Sequence, residues 1–155
     1  MTTIRLPRAE DAAALAALAD GLSAHEGDPT GNFTAETALR DVIAPGAPVR
    51  CLVAEGAGGL EGFVFWHFAY ETAYAARGAF VSDLFVSEAR RGAGIGRALL
   101  SAVARAVKAE GGEFISLTAF RRNERACRFY RSLMEEEPGL TLFFVAEESL
   151  ERLAR

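Results

Sequence analysis

The sequence predicts a mixed α/β domain in which helices flank a central, mostly antiparallel sheet. Two observations predict it. In the first half of the chain, runs rich in β-branched and aromatic residues are separated by glycine- and proline-containing turns, which is typical of hairpins. In the second half, such runs alternate with segments whose apolar residues recur at helical spacing. The runs amount to about six or seven strands, and we expect a single domain over residues 1–155.

Composition narrows the class of protein. With 155 residues, 50% of them apolar, the chain is long enough for one hydrophobic core. Its net charge of -4 argues against nucleic acid or an anionic membrane as a partner and mildly favours a cationic one. Cys51 and Cys127 lack the spacing of a metal site, so no metal is expected. No segment resembles a signal peptide or a membrane span, which predicts a soluble, cytoplasmic protein.

The first half of the chain opens with a short predicted strand at Ile4 to Leu6. A helix follows, marked by apolar residues at helical spacing: Leu15, Leu18, Ala19 and Leu22. The segment from Ser23 to Phe33 is predicted to be a loop that borders a substrate site, and Glu36 to Ile43 a second short helix. Val49 to Glu55 and Leu60 to Tyr70 then form a predicted hairpin through a glycine-rich turn.

The second half of the chain alternates strands with helices. A predicted strand at Ala79 to Val86 leads into a glycine-rich turn and a helix, which a pair of glycines ends. Phe114 to Ala119 is predicted as a further strand, Asn123 to Leu133 as a helix, and Leu140 to Val145 as the last strand. The predicted sheet is therefore mixed, with helices between its later strands.

The glycine-rich turn has the sequence Arg91-Gly92-Ala93-Gly94-Ile95-Gly96. Glycines adopt positive φ and let the backbone approach a ligand, while the first amides of a helix lack partners and carry the positive end of its dipole. The turn is thus a candidate pyrophosphate site, although a tight connection without a ligand explains the glycines equally well. It lacks the Lys-Ser/Thr ending of a nucleotide P-loop and the later acidic strand end of a dinucleotide fold.

Two segments resemble the signatures of one known superfamily. The run from Val81 to Leu100 resembles the acetyl-CoA-binding segment of the GNAT acetyltransferases. Their signature is Arg/Gln-x-x-Gly-x-Gly/Ala, and its defining positions are occupied by Arg91, Gly94 and Gly96. The run from Asn123 to Tyr130 resembles their second signature, Asn-x-x-Ala-x-x-Phe-Tyr. The order of elements is similar over essentially the whole chain. The resemblance implies the GNAT fold and acetyl-CoA as the acetyl donor.

The resemblance also implies where the donor is bound. The amides of the turn would hold the pyrophosphate of coenzyme A, the backbone of the preceding strand would bond the pantetheine arm, and Arg91 or Arg97 would add charge-assisted hydrogen bonds. Asn123 would contact the coenzyme, although a plain helix N-cap explains it equally well. The implied coenzyme-binding residues are Phe85, Val86, Arg91, Gly92, Ala93, Gly94, Ile95, Gly96, Arg97 and Asn123.

Tyr130 is the implied catalytic acid. In the superfamily, a tyrosine at this position commonly protonates the departing thiolate of coenzyme A, and a phenol with a reference pKa of about 10 suits that step. The residue pattern alone predicts a core tyrosine whose hydroxyl bonds to a neighbour. Cys127 has no histidine near it in the sequence, so we predict a packed thiol rather than a nucleophile.

Within the superfamily, the chain is most similar to the diamine/polyamine and thialysine-type N-acetyltransferases, which acetylate primary amines of small polycations or lysine-like amino acids. The similarity includes Phe68-Ala69-Tyr70-Glu71 and the aromatic residue that follows. The implied substrate-binding residues are Glu26, Glu71, Tyr74 and Asp83. Asp83 has apolar neighbours on its own strand face and is the strongest of them. Asp83, also counted as catalytic, or Glu71 would take the proton of the amine.

Three positions depart from that branch, and they leave other functions open. Ser82 stands where an acidic residue is usual, Arg122 where tryptophan is usual, and Met134 where glycine is usual. The alternatives are transfer to a protein N-terminus, a lysine or an aminoglycoside, a longer acyl-CoA as donor, and a non-catalytic acyl-CoA sensor. The arginines between residues 121 and 131 are predicted to form a solvated helix face rather than a nucleic-acid site. The resemblance also implies a homodimer.

Overall fold

The first part of the chain builds a five-stranded sheet. In a computed structural model that describes all residues from Met1 to Arg155, the chain divides into two units, Met1–Thr118 and Ala119–Arg155. The first unit contains the strands β1 Thr3–Arg5, β2 Arg50–Gly56, β3 Gly59–Glu71, β4 Ala76–Val86 and β5 Phe114–Leu117. They lie side by side in chain order, and only the β4–β5 pair is parallel. The mixed, mostly antiparallel sheet is confirmed, but the predicted count of six or seven strands is wrong.

Three helices belong to this unit: α1 Ala12–Glu26, α2 Ala35–Ala38, which continues as a wider helical turn over Leu39–Ile43, and α3 Ile95–Ala109. The helix α1 runs further than predicted, to Glu26, and its C-cap Gly27 has a φ of 84° in the left-handed conformation. The predicted loop therefore begins at Gly27 rather than at Ser23. None of the helices of the chain is both long and apolar enough to cross a membrane.

Apolar side chains cover both faces of the sheet. Phe63 and Phe65 lie on the face that packs with Leu15 of α1. Side chains alternate along a strand, so Val64 lies on the opposite face. The helix α3 contacts β2, β3 and β4, and its apolar stripe, including Leu99, is fully buried. The sheet is thus covered by helices on two sides, which holds β4 and the turn after it in a fixed place.

Arg5 links β1 to two carboxylates. Its guanidinium donates to both oxygens of Asp11, at 2.6 and 3.0 Å, and to both oxygens of Glu55, at 2.6 and 2.9 Å. Asp11 is buried and also accepts the backbone N–H of Arg8 at 2.7 Å. The hydrogen bonds from Arg5 hold the pKa of the Asp11 carboxyl below its usual range, although burial acts in the opposite direction. The cluster thus links β1 to β2 and to the residue that precedes α1.

The second unit contains two helices, α4 Glu124–Arg131 and α5 Glu147–Leu153. The first was predicted and the second was not. The predicted strand at Leu140 to Val145 is wrong, because no strand forms there and the backbone of residues 141–145 makes no hydrogen bond to other backbone groups. The run has a high β-propensity, but a strand also needs a neighbouring backbone to complete its ladder. The prediction of one domain over residues 1–155 stays a prediction.

Candidate functional site

The strand β4 has one unpaired edge where it approaches the glycine-rich turn. The parallel partner β5 pairs only with Gly78–Val81. Immediately afterwards the register against β3 shifts, because Val81 lies opposite Trp66 whereas Asp83 lies opposite Phe65. Ser82 is the extra residue of this bulge, and it is exposed. From Ser82 to Val86, β4 therefore has β3 on one side and no strand on the other.

The direction of the peptide groups identifies which residues serve that unpaired edge. The N–H of Ser87 donates to the carbonyl of Glu61 on β3 at 2.9 Å. Peptide groups alternate in direction along an antiparallel strand, so those of Val86 and Leu84 face the unpaired edge and those of Phe85 face β3. Sequence reasoning selected Phe85 and Val86 and missed Leu84. Peptide groups alternate in direction along every strand, but the residues that face the free edge can be identified only when the register against β3 is known.

The turn after β4 presents an open, positively polarised surface. Gly92 and Gly94 have φ values of 87° and 78°, in the left-handed region that favours glycine. Both are exposed, and a Cβ added to either would meet no atom within 4 Å. Gly94 is the N-cap of α3, whose first amides have no partner within the helix. The turn therefore has the room, the backbone conformation and the dipole that a diphosphate group requires.

Arg91 braces the turn against the strand. Its Nε donates to the carbonyl of Val86 at 3.1 Å, and its guanidinium carbon lies 5.5 Å from the ring centre of Phe85. Arg90 forms an ion pair with Glu61 of β3 at 2.8 Å. Arg97, in the first turn of α3, is exposed and forms no ion pair. Arg91 is thus held against the end of β4, whereas Arg97 carries an exposed positive charge at the start of α3.

The carboxylates predicted for the acceptor do not lie together. Asp83 is half-buried opposite Phe65 and makes no hydrogen bond or ion pair. Glu71 ends β3, and its carboxylate accepts the N–H of Ala73 at 3.3 Å in the hairpin turn, where Tyr74 is 79% exposed. Glu71 lies six positions beyond Phe65 along β3, which is about 20 Å of strand. Glu26 is the last residue of α1.

Two predicted residues lie in the second unit, on α4. Asn123 is the N-cap of this helix, since its side-chain oxygen accepts the N–H of Ala126 at 3.1 Å. Tyr130 is half-buried, with its ring centre 5.2 Å from that of Phe129. The thiol of Cys127 is half-buried and donates to the carbonyl of Phe120 at 3.5 Å, and the prediction of a packed thiol stays a prediction. These contacts support the capping role of Asn123, and its contact with the coenzyme stays a prediction.

The arginines of α4 and its flanks form local charge pairs. Arg131 bonds to Glu136 at 2.5 Å and Arg128 to Glu124 at 3.2 Å, while Arg122 lies over the Phe120 ring at 3.9 Å. An open cavity of about 290 Å³ beside them is lined by Arg121, Glu124, Cys127, Arg128 and Arg131. Because acidic partners offset much of the positive charge, the surface is that of an ordinary solvated helix.

Comparison with known proteins gives a family and a fold. The family model described as the acetyltransferase (GNAT) family matches residues 20–134. No curated protein sequence matches the chain. Among solved structures, an integron cassette protein from the mobile metagenome of V. cholerae is 20% identical, with a TM-score of 0.83 over 99% of this chain and 98% of that one.

Two further solved structures have names that state an activity. A ribosomal-protein-alanine N-acetyltransferase from Brucella melitensis biovar Abortus 2308 is 25% identical, with a TM-score of 0.74 over 94% of this chain and 100% of that one. An aminoglycoside acetyltransferase from an uncultured soil metagenomic sample is 18% identical, with a TM-score of 0.77 over 94% and 97%. At such identities the structural likeness is one of fold, and the acceptors of these two proteins differ from each other.

Proposed function

The chain belongs to the acetyltransferase (GNAT) family, whose members use acetyl-CoA, and on that premise we propose that it acetylates a primary amine of a small molecule. The observation that carries the proposal is the unpaired edge of β4, which leads directly into the open glycine turn at the N-terminus of α3. An extended chain with amide groups fits the edge, and a diphosphate fits the turn. The pantetheine arm and pyrophosphate of coenzyme A have those two chemistries in that order.

The transfer proceeds by direct attack while both substrates are bound. The neutral amine nitrogen attacks the thioester carbonyl carbon, and strand amides hold the resulting oxyanion. The carbon–sulfur bond then breaks, and Tyr130 protonates the departing sulfur. The bound ammonium loses one proton before the attack and a second from the nitrogen as the amide forms. The sulfur takes up one proton through Tyr130 and the other leaves to solvent, so the site also needs a base. Asp83 is the base, acting through water, because it is half-buried beside the unpaired edge and has no partner of its own.

The acceptor is a polyamine or a lysine-like amino acid in this proposal. Asp83 attracts an ammonium group before it is deprotonated, and the net charge of -4 favours a cationic ligand. A thermal-shift series with acetyl-CoA, followed by release of coenzyme A thiol with a panel of amines, tests it. The panel includes spermidine, lysine, an alanine-terminated peptide and an aminoglycoside. Thiol release with only the alanine-terminated peptide or the aminoglycoside would show that the acceptor is not a polyamine or a lysine-like amino acid. Binding of acetyl-CoA without thiol release for any amine would indicate a sensor.

The Asp83→Asn substitution is expected to lower kcat/KM for the amine by about 10-fold at pH 7. An alkylamine with a pKa of about 10 loses its proton to solvent at high pH, so the deficit should shrink as the pH approaches 9.5. Glu71→Gln is the matched carboxyl-to-amide control, and we expect no such pH-dependent deficit there. If Glu71→Gln shows the deficit and Asp83→Asn does not, the base is Glu71.

The Gly94→Val substitution is expected to raise the Kd for acetyl-CoA by about 10-fold, because the side chain occupies the open surface of the turn. Gly111→Val, at the other end of α3, is the matched control, since the φ of Gly111 is also 78° and its surroundings are equally open. Both variants carry similar backbone strain, about 1–2 kcal/mol. Calorimetric titration should therefore show weaker binding for Gly94→Val alone, and equal weakening in both variants would contradict the placement of the pyrophosphate.

A further inference from the structure

Glu61 is the extra residue of a bulge in β3. Ala54 of β2 lies opposite Gly62, whereas the next residue along β2 lies opposite Leu60. Glu61 therefore has no partner on β2. A bulge redirects the side chain of its extra residue, and bulges are frequent beside active sites. In this chain the redirected carboxylate reaches the segment 87–90, which joins β4 to the glycine turn.

Glu61 contacts both ends of the segment 87–90. Its backbone carbonyl accepts the N–H of Ser87 at 2.9 Å, and its carboxylate oxygen Oε1 pairs with Nε of Arg90 at 2.8 Å. The other carboxylate oxygen, Oε2, accepts the hydroxyl of Thr2 at 2.8 Å. The Glu61 side chain is only 12% exposed, so its charge has little water around it and is stabilised mainly by these two partners.

Gly56 leaves the space that this carboxylate occupies. It is the last residue of β2, and a Cβ added to it would overlap the carboxylate of Glu61. Its backbone is not in the left-handed region that favours glycine, so space rather than conformation explains the residue. Gly58, in the turn that follows, has open space around it and is not left-handed either.

We propose that Glu61 is a positioning residue of the donor site, which holds the glycine turn in the orientation that receives the diphosphate. The inference rests on the proposed function, in which acetyl-CoA is the ligand of the turn. Exposed glycines make the backbone of the turn permissive, so its orientation is set by the residues at its two ends. Ile95, which is buried, fixes the end at α3, and the ion pair of Arg90 with Glu61 fixes the end at β4 together with Arg91.

The contribution of Glu61 to donor binding is indirect. A carboxylate repels a diphosphate, so Glu61 would weaken binding if its charge acted on the ligand directly. By holding Arg90 and Ser87, it orders the approach to the turn before the ligand arrives. A turn that is already ordered loses less conformational freedom on binding, and the affinity for the ligand rises accordingly.

Two substitutions remove this contact in different ways. Glu61→Gln removes the charge and keeps the size of the side chain, whereas Gly56→Ala keeps the charge and displaces the carboxylate. Calorimetric titration with acetyl-CoA should show a Kd that is raised about 5-fold in each variant. The double variant should bind no more weakly than Glu61→Gln, because both changes act through the same contact. Salt at about 0.15 M screens charges beyond about 8 Å and limits direct charge effects.

Each substitution has a matched control. Gly58→Ala adds the same methyl group in the turn between β2 and β3, where it meets no atom within 4 Å. Glu110→Gln breaks an ion pair with Arg50 of 2.6 Å beyond the other end of α3. Both controls should leave the Kd for acetyl-CoA unchanged.

Two further readouts separate positioning from a general loss of stability. In the protein without ligand, NMR relaxation should show lower order parameters for the amides of residues 88–94 in Glu61→Gln and Gly56→Ala, and in neither control. In steady-state kinetics, both variants should raise KM for acetyl-CoA, while kcat at saturating donor should change much less.

A Kd that stays at the wild-type value in either variant, tighter binding in Glu61→Gln, or an equal rise in the two controls would each overturn the inference and leave the proposed function in place. No binding of acetyl-CoA by the wild type would contradict the proposed function and the inference with it.

Discussion

The Tyr130→Phe substitution is expected to lower kcat by about 100-fold while leaving the Kd for acetyl-CoA nearly unchanged. Phenylalanine keeps the ring that packs beside Phe129 and removes the hydroxyl group that, in the proposed mechanism, supplies a proton to the departing sulfur. The loss should therefore appear in the chemical step. Thiol release at saturating acetyl-CoA and amine measures kcat, and calorimetric titration of the same samples measures donor affinity.

Tyr70→Phe is the matched control for this prediction. It removes the same hydroxyl group from a side chain that is 60% exposed near the end of β3, and we expect no change in kcat. An unchanged kcat in Tyr130→Phe would remove Tyr130 from the mechanism. A loss of donor affinity as large as the loss of kcat would instead indicate that the hydroxyl group has a binding role.

The Asp11→Asn substitution is expected to lower the free energy of unfolding at pH 7 by about 2 kcal/mol. A buried charge that loses its sole partner costs about 3–5 kcal/mol, but Arg5 retains Glu55 after the substitution, so the effect should be smaller. The amide also cannot reproduce the ionic pair of hydrogen bonds that the carboxylate accepts from Arg5. Urea unfolding of the two proteins measures the difference.

The difference in unfolding free energy between wild type and Asp11→Asn should become smaller as the pH falls into the acid range. The hydrogen bonds from Arg5 lower the pKa of Asp11 in the folded state, so its contribution is complete above the unfolded pKa of about 3.9 and is lost as the pH falls through the folded value. The gap between wild type and Asp11→Asn should hold from pH 7 to about pH 5 and narrow in stronger acid. Asp41→Asn, which breaks an exposed pair with Arg40, is the control and should show no measurable change. A gap that persists in strong acid would contradict the role assigned to Asp11.

Elements with a local signal could be predicted from the sequence. The glycine turn before Ile95, the apolar stripe of α3 and the Asn123 cap each depend on residues within a few positions of one another. The segment Leu140 to Val145 could not be predicted in the same way. Its composition favours a strand, but a strand depends on a partner that is distant in sequence. Composition therefore indicated the propensity of this segment and not its pairing.

In the candidate site, too, local features could be predicted from the sequence and features of strand pairing could not. The sequence favoured Asp83 but left the choice of base between Asp83 and Glu71 open, and the hairpin register shows that the two lie at different points along the sheet. The bulge at Ser82 and the early end of β5 create the unpaired edge, and both are properties of strand pairing. The resemblance of the turn to a known signature indicated the donor, but the position of the unpaired edge could be read only from the strand register.

The most direct test of the donor site is an amide-resolved NMR titration with acetyl-CoA. The β4 edge and the turn should bind the coenzyme, so the amides of Leu84, Val86 and residues 92–96 should show the largest shifts, while those of α5 should stay unchanged. That result would place the pantetheine arm along the free edge of β4 and the pyrophosphate at the glycine turn. Binding that leaves these amides unshifted, or no binding at all, would contradict the assignment of this site.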